Sequence, residues 1–146
     1  GVIYIGTWEP ALFAFNEITG RLIWKKELET NTELFIGPSI TDNKLFYLSV
    51  VGDNKLYACN SSNGNEIWHF NPALKDNESK KTYASIGTSV AKDVVYFGDR
   101  STVYAIDANT GQELWDFKVY EPVTDPIISN GIVFFGCHDG YLYALE

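Results

Sequence analysis

The stretch Ala105-Ile106-Asp107-Ala108-Asn109-Thr110-Gly111-Gln112-Glu113-Leu114-Trp115 decides the fold, because its ten-residue interval from alanine to tryptophan occurs three times. The other complete copies run from Ala14 to Trp24 and from Ala58 to Trp68, and a truncated fourth has its alanine at position 144. The alanines at 14, 58, 105 and 144 are 44, 47 and 39 residues apart. This period is typical of stacked four-stranded units, each of which buries its apolar surface only against its neighbours.

Each repeat contains a run that is apolar at every position, which predicts a strand covered on both faces. These runs are residues 2–5, 45–48, 94–97 and 132–135. The strand that carries the motif alanine follows at residues 12–15, 56–59, 103–106 and 142–145. The tryptophans lie among charges, as in a half-exposed outer strand. Segments rich in Gly, Ser, Thr and Pro predict an innermost strand near a central axis at residues 35–40, 86–90 and 124–128.

The predicted fold is therefore all-β, with 14 strands arranged as about 3.5 four-stranded antiparallel blades of a β-propeller. One segment, residues 1–146, divides into a partial blade 1–34, whole blades 35–82 and 83–121, and a partial blade 122–146. Propellers need four to eight blades to close. We therefore expect a fragment of a seven- or eight-bladed ring, or a half-ring, completed by further blades of the same protein or by a second chain.

The turn between the last two strands of each unit has its own chemistry. Asn16, Asn60 and Asp107 can each close an Asx turn, and a glycine four residues later supplies the positive φ. The glycines are Gly20, Gly64 and Gly111. These residues are therefore predicted to serve the backbone of a hairpin.

Composition limits the classes of partner. The net charge is −8 and the basic residues are scattered, whereas a nucleic-acid surface needs a clustered basic face. No segment is apolar for long enough to span a membrane as a helix. The two cysteines do not make a disulfide framework, and Cys59 takes an apolar strand position, which predicts a buried thiol.

The pattern Ala-x-Asn/Asp-x-x-Thr-Gly-x-x-x-Trp resembles the tryptophan-docking motif of the pyrroloquinoline quinone (PQQ)-like repeat propellers. The resemblance covers essentially the whole chain, with Asn63 in place of the usual threonine. It implies that Trp24, Trp68 and Trp115 each pack on the peptide around a motif glycine and join neighbouring blades. A flat indole needs such a site without a Cβ. The resemblance thus implies structural roles for the tryptophans and for the three glycines.

The family includes two kinds of protein, and fold alone does not choose between them. Quinoprotein dehydrogenases bind PQQ and Ca²⁺ on the ring axis, whereas BamB-like members are non-enzymatic scaffolds, and some members are sensor domains outside the cytoplasm. A dehydrogenase calls for adjacent cysteines and several axial oxygen ligands. The predicted inner strands offer few such groups: Ser39, Ser85, Thr88, Ser89, Thr124 and Asp125.

Turns between the second and third strands should share one face with the links between blades. This candidate binding face holds Trp8, Glu9, Asp53, Asp99, Arg100, His138 and Asp139. The pair His138-Asp139 would suit acid–base or metal chemistry, but His-Asp-Gly also satisfies a turn without a ligand. We expect no catalytic and no metal residues here. The polar segment 71–82 is a second candidate for a partner contact, although its composition favours a solvated linker between blades.

The sequence thus favours a non-enzymatic propeller scaffold for protein–protein interaction, similar to BamB-like PQQ-repeat proteins, with no cofactor and an unidentified protein partner. One alternative is a portion of a PQQ- and calcium-dependent quinoprotein dehydrogenase. A second is an extracytoplasmic ligand-sensing domain. The resemblance, and nothing else in the sequence, suggests a periplasmic or extracellular location.

Overall fold

The computed structural model describes residues 1–7, 11–28, 37–49, 55–72 and 87–146. Within these residues the chain forms 14 strands in four antiparallel sheets and no α-helix, which confirms the predicted all-β class. The sheets follow one another along the chain with three, four, four and three strands.

Each sheet is a simple meander in which neighbours in sequence are neighbours in space. The first sheet contains β1 (Val2–Thr7), β2 (Ala11–Asn16) and β3 (Leu22–Glu27). The second contains β4 (Ser39–Thr41), β5 (Lys44–Leu48), β6 (Leu56–Asn60) and β7 (Glu66–Phe70). The third contains β8 (Thr88–Ala91), β9 (Val94–Asp99), β10 (Thr102–Asp107) and β11 (Glu113–Lys118). The fourth contains β12 (Ile127–Ser129), β13 (Ile132–Gly136) and β14 (Leu142–Leu145).

The hairpin turns form as the sequence predicts. Oδ1 of Asp107 accepts hydrogen bonds from the amides of Asn109 and Thr110, at 2.9 and 2.7 Å. Gly111 follows with a φ of 73°, in the left-handed region that a glycine adopts without a Cβ penalty. The strand register shifts directly after Ala105. The same shift follows the alanine in the other two complete repeats, so the motif encodes a bulge as well as a turn.

Apolar side chains fill all three spaces between consecutive sheets. Leu12, Leu45 and Cys59 are fully buried between the first and second sheets. Phe46 and Phe97 are fully buried between the second and third sheets. A third cluster joins the last two sheets: Val103, Val119, Val123, Phe135 and Cys137. The repeated sheets are therefore held face to face by one kind of apolar packing, as the blades of a propeller are.

The innermost strands are linked across sheets by polar groups. The hydroxyls of Ser39 and Thr88 lie 2.6 Å apart, between the second and third sheets. At the next boundary, Ser89 donates to the carbonyl of Pro126 at 2.5 Å, and Oδ1 of Asp125 accepts from the Gly87 amide at 2.9 Å. These side chains hold the narrow inner edges of the sheets together.

All three predicted innermost strands are wrong at their starts, because the described residues 37–38, 87 and 124–126 precede β4, β8 and β12. In the fourth sheet the regular ladder begins only with β12 at Ile127, because the preceding Pro126 has no N–H to donate. Val123 instead makes an isolated bridge with Cys137. Residues 35–36 and 86 of the other two predicted inner strands lie outside the described residues, as do the blade boundaries at 34/35 and 82/83 and all of segment 71–82 except its first two residues. The division into blades stays a prediction.

Candidate binding face and contacts between sheets

The tryptophans of the first two complete motifs each lie on the glycine turn of the following sheet. A Cβ built on Gly64 would be 3.0 Å from Cζ3 of Trp24, and one on Gly111 would be 2.7 Å from Cδ2 of Trp68. Only glycine leaves room for the two rings.

Both indole N–H groups also cross to the next sheet. Nε1 of Trp24 donates to the Ser61 carbonyl at 3.0 Å, and Nε1 of Trp68 donates to the Ala108 carbonyl at 3.2 Å. The apolar ring and the polar N–H of each tryptophan therefore contact the same turn. In both cases the tryptophan contacts the sheet that follows its own in the sequence.

The two ends of the series differ from its middle. Trp115 packs beside Tyr96, with ring centroids 5.9 Å apart, and borders a cavity of about 290 Å³ that Leu145 and Glu146 also line. Gly20 has the turn geometry of its counterparts, with a φ of 67°, yet no atom of the described residues lies within 4 Å of a Cβ built on it. Among the described residues, no motif glycine packs on the indole of Trp115 and no indole packs on the turn at Gly20.

The candidate binding face can be traced in the last two sheets. The link between β11 and β12 receives the turn after β9, because the amides of Val119 and Val123 donate to the carbonyls of Ser101 and Arg100, at 2.8 and 2.7 Å. The turn after β13 joins the same link, since the His138 amide donates to the Pro122 carbonyl at 2.9 Å. The structure therefore brings Asp99, Arg100, His138 and Asp139 to one link. Trp8, Glu9 and Asp53 lie outside the described residues.

The carboxylate of Asp139 accepts hydrogen bonds from two nearby residues of its own hairpin. Its Oδ1 accepts from the Tyr141 amide at 3.0 Å, and its Oδ2 accepts from the Tyr143 hydroxyl at 2.7 Å. These bonds, that to the amide foremost, lower the pKa of Asp139, and the bond to Asp139 raises the pKa of Tyr143 to about 12. His138 is exposed beside it. The arrangement serves a turn and does not pair the imidazole with the carboxylate.

The other histidine and the cysteines lie apart from this face. His69 is on outer strand β7, where its Nδ1 is 2.8 Å from Oε1 of Glu66. Both cysteines are buried free thiols. Cys59 lies 3.4 Å from Nζ of Lys26, a contact between two sheets that sequence reasoning missed because the residues are far apart in sequence. Within the described ranges, no group of three His, Cys, Asp or Glu residues could hold a metal ion.

A small recess opens at the turn after β9. It has a volume of about 200 Å³, and its lining includes the predicted face residues Asp99 and Arg100. It also includes Lys118 and Tyr120, which the sequence did not single out. Both come from the end of β11 and the link beyond it, so only the folded chain places them next to the turn.

Comparison with known proteins gives the family. A family model described as outer membrane protein assembly factor BamB matches residues 1–146. The chain belongs to the BamB family of PQQ-like repeat propellers. BamB from Yersinia pestis is 29% identical over 94 residues, which are 61% of this chain and 24% of that protein. The chain therefore spans only part of the length of this BamB relative.

Solved structures match the BamB-family fold over nearly the whole chain. BamB from Moraxella catarrhalis superposes with a TM-score of 0.79 at 17% identity, covering 99% of this chain and 42% of that one. A quinohemoprotein alcohol dehydrogenase from Comamonas testosteroni superposes with a TM-score of 0.67 at 21% identity, covering 81% and 19%. These likenesses show that the fold is a β-propeller, and at such identities they show the fold alone. None of the described residues forms a helix long and apolar enough to cross a membrane.

Proposed function

We propose that this chain is part of a non-enzymatic propeller scaffold that binds a protein partner outside the cytoplasm. The observation that carries the proposal is the continuous packing across all three sheet boundaries, which makes the exposed turns parts of one rigid body. Rigid scaffolds that present loops on one face are suited to recognition. Membership of a family described as an outer membrane protein assembly factor supports a partner of that kind.

The motif residues are proposed to be structural docking residues within this scaffold. The contacts of Trp24 with Gly64 and of Trp68 with Gly111 support that role. By the same geometry, Trp115 of the third sheet would dock on the corresponding turn of the fourth sheet, and Gly20 of the first sheet would receive an indole from a preceding blade. We propose that such blades, from the same protein or from a second chain, complete the ring.

The described residues offer few ligands for the PQQ and calcium of the quinoprotein dehydrogenases, which supports the scaffold. Calcium takes six to eight oxygen ligands, several of them carboxylates. The described inner strands contribute chiefly hydroxyls, and those of Ser39, Thr88 and Ser89 already bond between sheets. Among the described residues of the predicted inner strands, the one carboxylate is that of Asp125, which precedes β12 and accepts from the Gly87 amide. These groups support a structural seam, and the dehydrogenase remains the alternative that an experiment must test.

Titration with PQQ in the presence of Ca²⁺ separates the two functions. The scaffold predicts no saturable change in tryptophan fluorescence and no dye-linked oxidation of alcohols by the full chain. Saturable binding together with turnover would overturn it. A known quinoprotein dehydrogenase serves as the positive control for the reagents.

Site-specific photo-cross-linking tests the scaffold directly. A photoreactive side chain at exposed His138 samples the candidate binding face, and one at exposed Thr19 samples a turn at the opposite end of a sheet. We expect a discrete cross-linked protein from position 138 and none from position 19. Equal products from both positions, or none from either, would contradict the proposed face.

A further inference from the structure

The recess at the turn after β9 is held in shape by the backbone around it. Arg100 adopts a φ of 53°, a left-handed conformation that is uncommon for a residue with a side chain. Its carbonyl is fixed by the Val123 amide and that of Ser101 by the Val119 amide. Two further lining residues are buried and therefore fixed by packing: Thr102 is 4% exposed and Tyr104 is 3% exposed. The recess is therefore a preformed feature of the face.

The guanidinium of Arg100 has a hydrogen-bond donor without an acceptor among the described residues. Its Nε is buried, and no atom of the described residues accepts a hydrogen bond from it. A buried donor that makes no bond costs free energy, so an acceptor that reaches it would be favoured. Lys118 adds a second positive charge to the lining. Asp99 adds a negative charge to the same lining, and its buried Oδ1 accepts no hydrogen bond from the described residues, so the three side chains sum to a net charge of about +1 in a chain of net charge −8.

The lining selects among possible anions. A guanidinium fork matches the two oxygens of a carboxylate. The carboxylate of Asp99 lines the same recess and repels any anion, a doubly charged group such as phosphate more strongly than a singly charged carboxylate. The volume of about 200 Å³ is below the roughly 300–1,000 Å³ typical of pockets for whole small molecules. One carboxylate-bearing side chain fits this combination of size and charge.

We propose that this recess binds a glutamate or aspartate side chain of the protein partner, with Arg100 as its anchor. Tyr120 stands fully exposed at the rim, where its ring can pack beside the same partner. Arginine and tyrosine are the residue types that most often dominate protein interfaces. The inference rests on the proposed scaffold function and names the chemistry by which the scaffold recognises its partner.

The recess can be tested without knowing the partner. The ¹⁵N-labelled full chain is titrated with N-acetyl-glutamate N-methylamide, with the neutral glutamine analogue, and with inorganic phosphate, while the Arg100 Nε–H signal is followed. We expect saturable shifts with the glutamate probe at a Kd on the order of millimolar, as suits a single anchor. Absence of saturation with that probe, an equal response to the glutamine analogue, or tighter binding of phosphate would overturn the proposal.

Substitutions locate the response. Arg100→Gln should abolish the saturable shifts of the Ser101 and Thr102 amides, whereas Arg21→Gln, at an exposed turn of the first sheet, should leave them unchanged. Arg100→Lys keeps the charge without the fork and should weaken binding roughly tenfold. It also serves as the second variant if the glutamine form does not fold. Unchanged binding in the lysine variant would contradict the anchoring role.

The same variants separate this inference from the scaffold function itself. If the cross-linked partner from position 138 persists at full yield in Arg100→Gln, the scaffold stands and the carboxylate recess is wrong. If the partner is lost with Arg100→Gln but retained with Arg21→Gln, both proposals are supported. Loss of the partner with both substitutions would contradict the assignment to Arg100.

Discussion

In the 146-residue chain, measured without any added blade, replacing Gly111 by alanine should destabilise the protein far more than the same change at Gly20. The two glycines have nearly the same backbone conformation, with φ values of 73° and 67°. A left-handed conformation costs an alanine about 1–2 kcal/mol, so this contribution is shared by both variants. The effect of the added methyl group on the unfolded chain is also shared.

The difference between the variants comes from the indole. A Cβ at position 111 would lie 2.7 Å from Cδ2 of Trp68, which no real Cβ contact allows, whereas position 20 is open among the described residues. Displacing a packed ring costs a further ~1–3 kcal/mol. We therefore expect the free energy of unfolding to fall by about 2–5 kcal/mol for Gly111→Ala and by about 1–2 kcal/mol for Gly20→Ala.

Equilibrium unfolding in urea, followed by far-ultraviolet circular dichroism, measures both values without relying on the fluorescence of the displaced tryptophan. The two variants should have the same m-value and different midpoints. If their free energies of unfolding agreed within about 0.5 kcal/mol, the error expected for independent sites, the packing of Trp68 on this glycine would have no energetic weight and the reasoning would fail.

Three further outcomes follow from the contacts between strands. Burial raises the pKa of the Cys59 thiol, because it disfavours the thiolate. The stability that the buried neutral thiol contributes is therefore complete below pH 9.0, the ordinary pKa of the thiol, and is lost as the pH rises above that value. Cys59→Ala should therefore lose less stability than the native chain between about pH 7 and pH 10 in thermal unfolding, and equal losses would argue against a buried thiol. Asp139→Asn should bring the pKa of Tyr143 down from about 12 toward 10.0 in an NMR titration of the phenol carbon, and an unmoved value would show that the two side chains are not bonded. Ser89→Ala should lower the free energy of unfolding by about 1 kcal/mol through its lost bond to the next sheet, whereas Ser129→Ala should change it little; similar effects would count against the inner seam.

The sheets and their turns could be predicted because their determinants are local. Asn16, Asn60 and Asp107 each accept hydrogen bonds from amides two or three residues ahead, so a short motif contains the whole turn. The inner strand of the fourth sheet was predicted to start at residue 124 because the prediction rested on the Gly, Ser, Thr and Pro content of the segment. That content does not fix the residue at which pairing begins. Pro126 interrupts the ladder there, although it is buried like a strand residue.

The recess and the contacts between sheets could not be predicted in the same way. Lys118 and Tyr120 reach the Arg100 turn only because two backbone hydrogen bonds fold the link over it. The contact of Lys26 with Cys59 spans 33 residues of sequence. The family resemblance implied that tryptophans pack on glycines. The direction of docking, from each sheet to the next along the chain, depends on how the sheets stack.

Proton NMR of the two motif glycines tests most directly whether consecutive sheets stack through their tryptophans. The geometry predicts strong upfield ring-current shifts for the Hα protons of Gly64 and Gly111, with nuclear Overhauser contacts to Trp24 and Trp68. In the 146-residue chain, measured without any added blade, Gly20 should have an ordinary shift. Random-coil shifts for all three glycines, together with indole N–H groups that exchange rapidly with water, would contradict the stacked propeller.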